Sequence, residues 1–167
     1  MKILPPHPPP SEINKIVYIG DPQQGEFIYD LEGLGVLSVV HAINRNGAWM
    51  KDIRGYRFHY AIRPASKLDG VFKPFTKGAV AAVCGAMIVC AEDDREARAS
   101  LGDDYPFFVG RCGLPQLHKK INEILQEEDD GVLEKARQAM ICLRQKNSPE
   151  AIRQIFRERL IDSGVLG

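Results

Sequence analysis

Five short apolar runs (KIVYIG, VLSVVHA, RFHYAIR, AMIVCA and YPFFVG) occur in the first 112 residues, separated by turn signals and helical patterns. This alternation constrains the fold more than any other property of the chain. Parallel strands need long crossover connections, and helical patterns between strands supply them. The runs are almost continuously apolar, as in strands covered on both faces. The sequence therefore predicts an α/β fold: a Rossmann-like parallel sheet of about five strands, helices on both faces, and a helical C-terminal extension.

Residues 1–14 read as a proline-rich linker, because Pro5, Pro6, Pro8, Pro9 and Pro10 favour polyproline II, and His7 is a solvated member of that run. Residues 15–112 read as the core domain and 113–167 as the helical extension of the same domain. Phe27, Leu31 and Leu34 stand at helical spacing, with Gly35 as a stop. Pro74 suits the first turn of a helix that runs to Cys84 and ends at Gly85. A charged helix is expected over residues 93–101. In the extension, Leu117, Ile121, Ile124 and Leu125 share one face, as do Val132, Leu133, Ala136, Met140 and Leu143. The last helix opens at Ser148-Pro149 and is expected to bury Ile152, Ile155, Phe156 and Leu160.

Lysine plus arginine equals aspartate plus glutamate at 22 each, so a nucleic-acid-binding charge is not a property of the whole chain. Any anion site must come from local placement. No apolar run approaches the ~20 residues that span a bilayer. Cys84, Cys90, Cys112 and Cys142 show no metal spacing and read as free thiols, which suits a reducing, cytoplasmic setting. The GxGxxG fingerprint, the P-loop, a nucleophile elbow and metal-ligand spacings are all missing from the sequence.

In an open α/β sheet, ligands bind beyond the carboxyl ends of the strands. The residues there are Gly20 and Asp21 after the first strand, then His41 and Asn44, then Arg63, and finally Glu92 with Asp93 and Asp94. Lys73 and Lys77 open the helix that enters the fourth strand, so they share that edge. Cations at a helix start oppose its dipole, and an anion there removes the conflict. Plainer readings stand beside these. The lysines can form an exposed face, Arg63 can pair with Asp52 or Asp69, and Glu92 can cap the following helix. His59 can be a hydrogen-bonded core residue, and Trp49 can simply pack.

The segment KPFTKGAVAAVCGAMIVCAEDDREARASLGDDYPFFV resembles the donor-binding, C-terminal half of the GT-B glycosyltransferases, and PPHPPPSEINKIVYIGDP is similar to the linker and first strand of that half. The resemblance implies a domain that binds a nucleotide diphosphate sugar without a metal or other cofactor. It implies that Lys73, Lys77, Arg63 and Thr76 hold the diphosphate, and that Gly20, Glu92, Glu96 and His41 face the sugar or nucleoside. Relatives commonly place a ribose-binding Glu or Asn in the middle of this helix, where this chain has Val80, Ala81 and Ala82. The acceptor half of such enzymes is a second domain, so the resemblance implies a partner domain for glycosyl transfer. The alternative is a non-catalytic α/β module that binds a partner protein or a small anionic effector.

Overall fold

A computed structural model describes residues 15–41, 53–65 and 74–162. Five parallel strands form one sheet: β1 (Ile16–Ile19), β2 (Leu37–Val40), β3 (Phe58–Tyr60), β4 (Met87–Ala91) and β5 (Phe108–Val109). Their spatial order is β2-β1-β3-β4-β5. The flanking helices are α1 (Ile28–Gly33), α2 (Thr76–Cys84), α3 (Arg95–Leu101), α4 (Leu114–Leu125), α5 (Asp130–Lys146) and α6 (Pro149–Asp162), and a 3-10 turn (Pro22–Gln24) precedes α1. This is the α/β, Rossmann-like architecture that the strand and helix alternation predicts.

The register explains which strand residues meet. Ile16 pairs with Phe58, and Phe58 with Met87. The next residues, Val17, His59 and Ile88, therefore stand on the opposite face. Tyr18 and Tyr60 return to the first face, where their rings meet edge to face at 6.3 Å. On the far edge, Tyr105 bonds both backbone groups of Ile88, its hydroxyl accepting from the N–H and donating to the carbonyl. Helix α5 packs on α2, α3 and β4 through buried Leu133, Ala136, Met140 and Leu143.

Several boundaries differ from the sequence reading. Pro74 lies outside α2, whose N-cap is Phe75; Gly85 ends this helix in the left-handed region at φ 70°. The charged helix starts at Arg95 because Asp94 caps it, Oδ1 accepting from the Ala97 N–H. Helix α1 starts later than the spacing suggests, since Phe27 sits before it in the left-handed region at φ 53°. Ser148 does cap α6, its Oγ accepting from the Ala151 N–H. The expected burial of α6 is corrected: Ile152 is 45 % exposed, Ile155 53 % and Phe156 66 %, and Leu160 is only half-buried. The physical reason is placement, since α6 touches the body mainly through α5 and leaves its apolar stripe without a covering layer among the described residues.

Candidate functional site

The chain passes from β1 outward to β2, then crosses back to β3 on the other side of β1. The reversal opens a crevice beyond the carboxyl ends of β1 and β3, the usual ligand position in open α/β sheets. A cavity of roughly 330 Å³ lies there. The end of β1 and its turn contribute Tyr18, Ile19, Asp21 and Gln24. The segment after β3 contributes Ala61 and Arg63, the lead into α2 contributes Pro74 and Phe75, α2 itself contributes Thr76, Lys77 and Val80, and the turn before α3 contributes Asp94.

Lys77 stands in the first turn of α2 and crosses to β1. Its ammonium donates to the Ile19 carbonyl and lies 4.0 Å from the centre of the Tyr18 ring. Gly20, at φ 126°, makes room for this approach, since a Cβ there would stand 3.2 Å from Lys77 Nζ. The glycine therefore serves the lysine directly. The Tyr18 hydroxyl donates to the Asp21 carbonyl at 2.8 Å. Burial, and secondarily the Asp21 charge, pushes its pKa up to about 12, so it stays a neutral donor.

The start of α2 has no side-chain cap, because Phe75 offers no acceptor. The Thr76 N–H is taken by the Pro74 carbonyl at 2.7 Å, and residues 74–77 at the start of the helix, where the positive end of its dipole lies, line the cavity. The Phe75 ring lies over Gly78, where an added Cβ would fall 2.0–2.6 Å from ring atoms. Gly78→Ala should therefore destabilise the protein. The helix-propensity gain of about 1 kcal/mol is outweighed by displacing the ring, for a net loss of roughly 1–2 kcal/mol. Chemical denaturation checks this, and a variant more stable than the wild type would show that the ring moves freely.

Arg63 and Asp94 form a buried ion pair at 2.8 Å, with side chains only 10 % and 2 % exposed. Asp94 thus holds the arginine with one oxygen and caps α3 with the other. The partner of Arg63 among the described residues is Asp94; Asp52 and Asp69, the partners weighed from the sequence, lie outside them.

The structure brings Arg63, Thr76 and Lys77 together around the cavity, with Gly20 beside Lys77. Lys73, Asn44 and Trp49 lie outside the described residues. Glu92, Glu96 and His41 are on the same edge but do not line the cavity. Glu92 points outward near Arg98, and His41 is exposed at the end of β2, an edge strand. Glu96 lies in the first turn of α3. Asp94, not Glu92, is the acid that turns inward and caps. Tyr18, Gln24, Phe75 and Val80 also line the wall. Val80 is apolar there, while Ala81 and Ala82 are buried against the sheet, so α2 offers no carboxylate or amide for a ribose.

His59 is buried on the opposite face, and neither ring nitrogen finds a hydrogen-bond partner among the described residues. The sequence expectation of a hydrogen-bonded core histidine is corrected in that respect. Burial lowers its pKa to about 4; the Ile53 backbone opposes the shift without meeting hydrogen-bond geometry, and the Lys77 charge adds to it.

Fold and cavity together define the chain as a Rossmann-like α/β protein with a crevice site at the reversal of strand order. No protein-family model matches it, and no curated protein sequence matches it significantly. Among the described residues, no helix is long and apolar enough to cross a membrane.

Proposed function

We propose that the cavity binds the diphosphate of a nucleotide sugar and that the chain is a glycosyltransferase-like donor-binding domain. One observation carries this reading: the uncapped start of α2, bearing Lys77, opens on a cavity that Arg63 lines from the other side. The cavity wall also holds Asp21 and Asp94, and Asp94 pairs with Arg63, so the anion-attracting region centres on the α2 start and Lys77, with Arg63 at its margin. The GT-B resemblance of the KPFTK segment supplies the reaction class. The reaction would be transfer of a glycosyl group to an acceptor held by a second domain. Lys77, Arg63 and the α2 N–H groups would stabilise charge on the departing diphosphate.

Calorimetry with UDP- and GDP-sugars tests the reading, and folded protein that binds neither at millimolar ligand would sink it. Lys77→Ala should weaken nucleoside diphosphate binding about tenfold to a hundredfold, the range for a lost hydrogen bond to a charged group. Lys119→Ala, a change on the surface of α4, should leave binding unaltered. Equal effects of the two substitutions would remove Lys77 from the site.

A second reading is a non-catalytic α/β module that binds a partner protein or a small anionic effector. The exposed apolar stripe of α6 favours the partner-protein form. Gel filtration together with the calorimetry separates the two. A protein that ignores nucleotides but self-associates through α6 supports the module.

A further inference from the structure

Arg111, outside the cavity, gathers the loops that surround it. It follows β5, and its Nη1 donates to the Glu26 carboxylate and to the Arg63 carbonyl, each at 2.5 Å. Its Nε and Nη2 donate to the two oxygens of Asp93, each at 2.9 Å. Asp93 is joined in the chain to Asp94, which holds the Arg63 guanidinium. The contacts close a ring: Arg111 to Asp93, along the chain to Asp94, across to Arg63, and from its carbonyl back to Arg111. Glu26 ties in the loop after β1, and its own N–H donates to the Ile62 carbonyl.

The Arg63 carbonyl lies beyond the β3 ladder, just before Pro64, where among the described residues no neighbouring strand supplies a donor. Arg111 supplies it. Arg63 is thus fixed twice, its main chain by Arg111 and its guanidinium by Asp94. The Arg111 ion pairs are partly solvated, with side chains 24–48 % exposed, so salt screening limits their worth as stability. Their consequence is geometric.

We infer that Arg111 is a positioning residue that aims Arg63 into the cavity for an anionic ligand. This rests on the anion-binding reading of the cavity.

The test uses the full chain with inorganic pyrophosphate and UDP as probes. Arg111→Gln is expected to shift or broaden the Arg63 Nε–Hε resonance in the free protein. It should also weaken binding of both probes by about tenfold, the scale on which outer partners of a binding residue act. Arg111→Lys should not restore affinity, because an ammonium cannot present the planar fork that meets Asp93 while reaching the carbonyl. In an Arg63→Lys background, Arg111→Gln should add nothing further. An unchanged Arg63 resonance, or a loss of affinity that is additive with Arg63→Lys, overturns the inference. If Arg111→Gln fails to fold, Asp93→Asn loosens the same grip and carries the same two readouts. Wild-type protein that binds neither probe defeats the anion reading and with it the ligand role of Arg111. The Arg63 resonance then decides separately whether Arg111 orders that side chain.

Discussion

Arg63→Met is expected to destabilise the protein by about 3–5 kcal/mol, because it strips the partner from a carboxylate that is almost fully buried. Asp94 is only 2 % exposed at its side chain with Arg63 in place, so loss of the guanidinium leaves its charge poorly compensated. The ion pair itself is weak as a source of stability, since two charges were desolvated to form it. The asymmetry gives a sharp test. Adding Asp94→Asn to Arg63→Met removes the stranded charge while an amide oxygen still caps α3 at Ala97. The double variant should regain most of the loss. Urea midpoints of the two single variants, the double variant and the wild type measure this as a double-mutant cycle. A single-variant loss below 1 kcal/mol would falsify the buried-pair geometry.

Acidification should loosen the fold through His59 well before general acid unfolding. An open imidazole titrates near 6.5, whereas the buried ring holds out to about 4. Between these values the unfolded chain binds the proton and the folded chain does not. Stability therefore falls as pH drops from about 6.5 to about 4, and this contribution levels off below. At about 1.4 kcal/mol per pH unit, the interval is worth on the order of 3 kcal/mol. His59→Leu should flatten the slope and be neutral or stabilising at pH 7, since it also removes two unsatisfied polar atoms. The observable is the difference between wild type and variant across that window, because carboxylates titrate in both. Parallel pH profiles would show that the ring protonates inside the fold at little cost.

The strands were legible because apolar runs broken by turn residues have few other solutions. The edge that carries the cavity was legible for the same reason. In βαβ connectivity, strand ends and helix starts share one side of the sheet, which brought Arg63, Lys73 and Lys77 together on paper; of these, Arg63 and Lys77 line the cavity and Lys73 lies outside the described residues. The acids were harder. Glu92, Asp93 and Asp94 are three successive candidates, and which one turns inward depends on the tight turn between β4 and α3. Helix-cap preference disfavours Glu92, since aspartate is a strong N-cap and glutamate is not, but it does not separate Asp93 from Asp94. Phe75 was hidden by the preference of proline for a first helical turn, which placed the helix start at Pro74. Helix α6 illustrates a general limit. Periodicity shows that a face is apolar, but not which surface covers it.

The strand order has a consequence for how the molecule assembles in time. β1 is made first, yet it lies between β2 and β3, and Ile16 must wait for Phe58 to pair. Helix α2 in turn waits for α5, synthesised after four further elements. Such long-range closures are slow relative to local ones. The crevice, bounded by β1, β3 and α2, therefore depends on contacts between segments far apart in the sequence. A ligand that needs the assembled crevice binds the folded chain alone, and each one bound withdraws a folded chain from the unfolding equilibrium.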